Sequence, residues 1–192
     1  RSIDETSDGG FILTGTGKSE MNDEGYDVLL IKTDNLGNLL WERSFGGSGF
    51  PQGNSTQQTK DGGFIIFGST DHMPKEGPKV WLVKTDNEGI EEWNKTFQYG
   101  ERDHGWSGQQ TSDGGFIVGC NVLPLGSGYG DTNGLLLKMN SLGEEEWFRL
   151  FEGNIIFAVH QTRDGGYAVT GTNSLSDIWI AKTDSSGNIS LD

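Results

Sequence analysis

The chain has 192 residues, of which only 32% are hydrophobic and 31 are glycine. A core built from helices asks for more aliphatic residues, whereas many short strands joined by tight turns are made from this mixture, so composition points to an all-β domain. The 28 acidic residues against 14 basic ones give a formal charge of −14, which excludes nucleic acid as an expected partner and gives no footing on an anionic membrane.

The same charge serves solubility. One cysteine, Cys120, excludes an internal disulfide and a cysteine-rich metal site. No apolar run is long enough to span a bilayer, so direct membrane insertion is not expected. The sequence opens at Arg1 with neither an initiator methionine nor a signal peptide, as in a mature product or a piece of something longer.

In chain order, the first punctuation is Asp8-Gly9-Gly10-Phe11, and it returns as Asp61-Gly62-Gly63-Phe64, Asp113-Gly114-Gly115-Phe116 and Asp164-Gly165-Gly166-Tyr167, at intervals of 53, 52 and 51 residues. A threonine stands two residues ahead of each Asp: Thr6, Thr59, Thr111 and Thr162. Downstream, each copy has an apolar run ending in Lys32, Lys84, Lys138 or Lys182. A turn then closes at Gly37, Gly89, Gly143 or Gly187, and four residues later stands Trp41, Trp93, Trp147 or, in the fourth copy, Leu191.

Each copy divides into four strands, a to d. In the second these are predicted near Asn54–Thr59, Phe64–Ser69, Val80–Thr85 and Ile90–Phe97. Asp-Gly-Gly suits a hairpin that needs a positive φ, for which Gly9, Gly62, Gly114 and Gly165 are the structural candidates. Asp-x-x-Gly suits a type I turn closed by a left-handed glycine. A four-stranded antiparallel unit repeated about every fifty residues is the spacing of β-propeller blades. The expected fold is therefore an all-β propeller, or a propeller segment, with blades near 1–46, 47–98, 99–151 and 152–192. Because the chain starts at strand a and stops just inside the fourth strand d, a segment of a larger propeller is favoured over a closed ring. Tryptophans on the outer strands would wedge between neighbouring sheets, each burying about 200 Å².

Antiparallel strands reverse at every turn, so the a/b and c/d turns share one rim and the b/c and d/a connections share the other. The first rim is uniform and the second varies. The variable rim carries the candidate binding residues Tyr26, Phe50, His72, Tyr99, Asp103, His104, Trp106, Tyr129 and Asp131, on the general ground that binding gathers on loops freed from folding constraints. His104 beside Asp103 is the most reactive-looking pair, but no serine or cysteine nucleophile stands near it, and no catalytic residue is assigned. His160 occupies a strand column shared with Gln57 and Gln109. Asn22, Asp23, Glu24 and Asp27 group oxygen ligands as calcium requires, off the EF-hand spacing; no cofactor is otherwise expected. Cys120 falls in the column of Gly15, Gly68 and Gly171 and reads as a packed thiol.

The columns Gly-Gly-Phe-Ile, Lys-Thr-Asp-x-x-Gly-x-x-x-Trp and Phe45-Gly46-Gly47 resemble the tandem propeller repeats of predicted secreted or cell-surface proteins of bacteria and archaea. They are also similar to the tryptophan-docking turns of quinoprotein-like propellers, with Trp41, Trp93 and Trp147 in the docking place, and the double glycine resembles that of kelch repeats. The resemblance implies an extracellular or cell-surface scaffold, and the leading expectation from the variable rim is that it binds a protein or a glycan there without turnover. Two alternatives stand beside it: a structural subunit of a surface layer, filament or adhesin, and a fragment of a carbohydrate-active or quinoprotein-like enzyme.

Overall fold

The computed structural model describes residues 1–18, 25–46, 49–70, 77–128 and 131–189. Among them every regular element is a strand, arranged as four antiparallel sheets in which each strand pairs with its neighbour in sequence. Sheet one holds β1 (Ser2–Glu5), β2 (Phe11–Lys18), β3 (Tyr26–Thr33) and β4 (Leu39–Gly46). Sheet two holds β5 (Gln52–Gln58), β6 (Phe64–Thr70), β7 (Lys79–Thr85) and β8 (Glu91–Phe97). Sheet three holds β9 (Arg102–Gln110), β10 (Phe116–Leu123), β11 (Asn133–Met139) and β12 (Glu145–Phe151). Sheet four holds β13 (Asn154–Gln161), β14 (Tyr167–Asn173) and β15 (Ile178–Thr183), followed by an isolated bridge between Thr183 and Ile189. Leu191 lies outside the described residues.

The two hairpin turns of each repeat share one geometry although their sequences differ. In the first, Gly9 N–H donates to the Thr6 carbonyl at 2.8 Å and Thr6 N–H to the Gly10 carbonyl at 2.9 Å, with Gly9 at φ +80°. In the second, Gly37 N–H donates to the Asp34 carbonyl at 3.2 Å and Asp34 N–H to the Asn38 carbonyl at 2.9 Å, with Gly37 at φ +82°. Both are the pattern of a type I turn followed by a left-handed glycine bulge.

The second glycine of Asp-Gly-Gly has a different reason to be there. A Cβ on Gly63 would lie 2.1 Å from the Thr85 carbonyl oxygen and 2.6 Å from Lys84 Nζ. That lysine is the centre of a clamp. Its Nζ lies 3.0 Å from Asp61 Oδ2 and 2.8 Å from Glu92 Oε2, and it donates to the Thr85 carbonyl at 2.8 Å. Asp61 Oδ1 meanwhile accepts from Thr59 Oγ1 at 2.6 Å and from Gly63 N–H at 3.0 Å.

The clamp recurs as Lys32 with Asp8, Lys138 with Asp113 and Glu146, and Lys182 with Asp164. At Lys32, Lys84 and Lys138 it makes burial of an ammonium tolerable, since an unpaired buried charge is costly; Lys182 keeps the pairing while partly exposed. Hydrogen bonds from Thr6, the Gly10 amide and Lys32 hold the Asp8 carboxyl well below the usual carboxylate range. At Asp113 burial pulls upward, but hydrogen bonds from Thr111, the Gly115 amide and Lys138 outweigh it and bring the group to about 2.

The sheets fall into two compact units, Arg1–Phe97 and Gln98–Asp192. In the first, Ile12, Val28 and Leu30 of sheet one pack against Phe64, Ile66, Trp81 and Val83 of sheet two. Trp41 on β4 meets Phe64 edge-on at 5.6 Å, covers Gly89 so closely that a Cβ there would come within 2.8 Å of the indole, and carries Arg43 at 5.3 Å from its centroid. The second unit repeats the plan. Ile117 and Leu136 pack against Ile156, Val159, Tyr167 and Val169, and Trp147 meets Tyr167 at 5.8 Å, covers Gly187 and carries Arg149 at 5.3 Å. Trp93, on β8, is half-buried.

Candidate functional site

In three sheets the first strand carries an extra residue at one column: Asn54, Trp106 and Phe157 each fall where the register of β5, β9 and β13 slips. A bulge of this kind re-aims side chains and bends the strand. It also moves three expected rim residues. Asp103, His104 and Trp106 belong to β9 and not to a loop, because pairing with β10 already begins at Arg102.

Neighbouring strand residues face opposite sides of a sheet, so Asp103 and His104 do not form a carboxylate–imidazole couple. Asp103 is fully buried, its Oδ2 accepting from the amides of Tyr99 and Gly100 and its Oδ1 lacking a hydrogen-bond partner. Burial pushes its carboxyl up, against the two amides. His104 lies 6.3 Å from the Trp106 ring, and Trp106 is partly exposed.

The remaining described rim residues separate into three places. In the first unit Tyr26, at the start of β3, and Phe50 form an exposed aromatic pair with centroids 5.3 Å apart. In the second, Tyr99 donates from its hydroxyl to Glu145 at 2.5 Å and packs on Phe148 at 5.0 Å; burial first, and Glu145 next, push its phenol up. His72 and Tyr129 lie outside the described residues, as do Asn22, Asp23 and Glu24. The fourth residue of that oxygen cluster, Asp27, is buried in β3 and accepts from Ser44 Oγ at 2.7 Å. Among the described residues no three His, Cys, Asp or Glu side chains come together as metal ligands do. Cys120 is fully buried, and burial raises its thiol, so it is packing and not a nucleophile.

Asp131 leads to a sizeable cleft of the second unit. About 490 Å³ of space opens where the β10–β11 connection, the β12–β13 connection and the β14–β15 hairpin converge. Its polar lining includes Asp131, Asn133, Glu152, Asn173, Ser174 and Ser176, with Pro124 and Ile155 as apolar surface. The walls are held by side-chain caps. Gly128 N–H donates to Asp131 Oδ2 at 3.0 Å, Gly153 N–H to Asn133 Oδ1 at 2.8 Å, and the amides of Leu175 and Asp177 to Asn173 Oδ1 at 2.9 and 3.0 Å. These bonds order three loops around a hydroxyl-, amide- and carboxylate-lined space. The sequence singled out only Asp131 here. The other lining residues are Ser, Asn and Glu of ordinary loop composition, on b/c and d/a connections that strand reversal alone places on the variable rim.

No known family model matches the chain, and no curated protein is significantly similar to it.

Proposed function

We propose that the four sheets are consecutive blades of a β-propeller and that the protein is a non-catalytic glycan-binding scaffold at the cell surface. The observation that carries the binding reading is the loop cleft around Asp131, Asn133 and Glu152. Carboxylates, amides and hydroxyls held by backbone caps suit the dense hydroxyls of a sugar, which accept and donate at short spacing. The propeller reading rests on four sheets with equivalent turns, equivalent Lys–Asp clamps and, in each unit, a tryptophan docked on the next sheet.

A glycan array followed by calorimetry tests it. Binding to a defined glycan, weakened about tenfold or more by Asp131→Ala or Glu152→Ala with an unchanged melting curve, supports the assignment. Release of shortened sugars would overturn the non-catalytic part, and binding indifferent to both substitutions would overturn the site. A second reading, a basic protein partner, is favoured by the exposed Tyr26–Phe50 pair on an acidic chain; loss of capture on Tyr26→Ser would select it.

A further inference from the structure

Equivalent positions in the repeats are buried very unequally. Val28 and Leu30 of sheet one are 0% exposed against sheet two, and Leu136 of sheet three is 0% exposed against sheet four. Their counterparts in sheet four, Ile178 and Ile180, are 89% and 74% exposed. The complementary side of sheet one is open too. Val159 of sheet four is 7% exposed beneath sheet three, whereas Ile3, in the same column, is 61% exposed. Gly89 and Gly187 are buried beneath tryptophans; Gly37, their counterpart, is exposed, and a Cβ there would touch nothing within 4 Å.

Charge separates the two open faces. Within the units, Ser7 N–H donates to Gln58 Oε1 and Ser112 N–H to Gln161 Oε1, both at 2.8 Å. The residues in those columns on the open faces are Arg163 and Glu5. Likewise Gln161 N–H donates to Gln109 Oε1 at 3.1 Å, and there the open faces place Glu5 opposite His160. The donor in each contact is a backbone N–H, so on the open faces the neutral glutamine acceptor is replaced by the Glu5 carboxylate opposite the Arg163 N–H, and His160 stands opposite the Glu5 N–H.

We propose that sheet four of one chain docks on sheet one of a second copy, head to tail, in the way that β2 and β3 of sheet one lie against sheet two in the first unit. Ile178 and Ile180 then take the places of Val28 and Leu30, the column of Ile3 takes that of Val159, and Arg163 meets Glu5. The junction is heterologous, so it closes a ring or continues as a chain of copies.

The test is the mass of the purified chain by light scattering and sedimentation over a wide concentration range. The expected result is a species of at least twice the 20.9 kDa chain mass. Ile180→Asp and Ile3→Asp, both at exposed positions and checked by circular dichroism for folding, should each raise the dissociation constant about tenfold or more. Mixing the two variants should restore a dimer, because one junction then pairs an unaltered sheet four with an unaltered sheet one. A monomer at every concentration overturns the proposal, as does assembly indifferent to both substitutions or a mixture that stays monomeric.

Discussion

The Lys138 side chain is 3% exposed and surrounded by the Met139 carbonyl and the carboxylates of Asp113 and Glu146, so its burial depends on oxygens supplied by three separate segments. The glycines fit around it unequally. Gly62→Ala should cost about 1 kcal/mol, from the left-handed φ alone. Gly63→Ala should cost about 3 kcal/mol, because its Cβ meets a backbone carbonyl that the clamp fixes; denaturant midpoints of the two variants check the order. The clamp carboxylates also predict acid behaviour. A carboxyl whose folded pKa is depressed contributes stability above its unfolded value near 3.8, and loses it as pH falls through the folded value, about 2 for Asp113. Those side chains are more than half exposed, so screening keeps each contribution modest. Melting temperatures should therefore fall between about pH 4 and pH 2, and Asp113→Asn should flatten that limb; an unchanged limb would mean the clamp contributes nothing.

Among the strands and turns, the hairpin between β14 and β15 breaks the glycine rule. Ser176 N–H closes on the Asn173 carbonyl at 2.9 Å with Ser176 at φ +65°, the position that glycine takes in the other turns of this kind. Ser176→Gly should raise stability by about 1 kcal/mol, read as an upward shift in the denaturant midpoint. Trp41→Ala should cost about 3 to 5 kcal/mol, since it uncovers Phe64 and Gly89 together. Strand existence was legible in the sequence: the second repeat is read within two residues at each boundary, because alternation and turn chemistry agree there. The start of β9 was not legible. The bulge at Trp106 breaks the period-two pattern, so Asp103 and His104 read as loop. The lysine column reads as the polar end of each apolar run, because its partner Asp lies some 24 residues away in sequence. The rim of the cleft was legible from strand reversal, which puts the b/c and d/a connections together, but of its lining residues only Asp131 was singled out, since loop composition does not reveal which side chains line a space.

Across the whole molecule, β6 and β10 are buried at every position, while β2 and β14 alternate between buried and partly buried residues. In the dissociated chain, amide hydrogen exchange should follow that order, slowest in β6 and β10 and fastest in β1 and β15, whose apolar residues Ile3, Ile178 and Ile180 are exposed. Equal protection in all four sheets would contradict the burial pattern. The strictly sequential pairing has a further consequence for synthesis. Each strand finds its partner in the segment made just before it, so closure is local and the search is short. A ribosome that pauses after the first unit has left the tunnel has already released everything that Arg1–Phe97 needs for its own pairing and core, and the nascent chain can become protease-resistant before the second unit is complete.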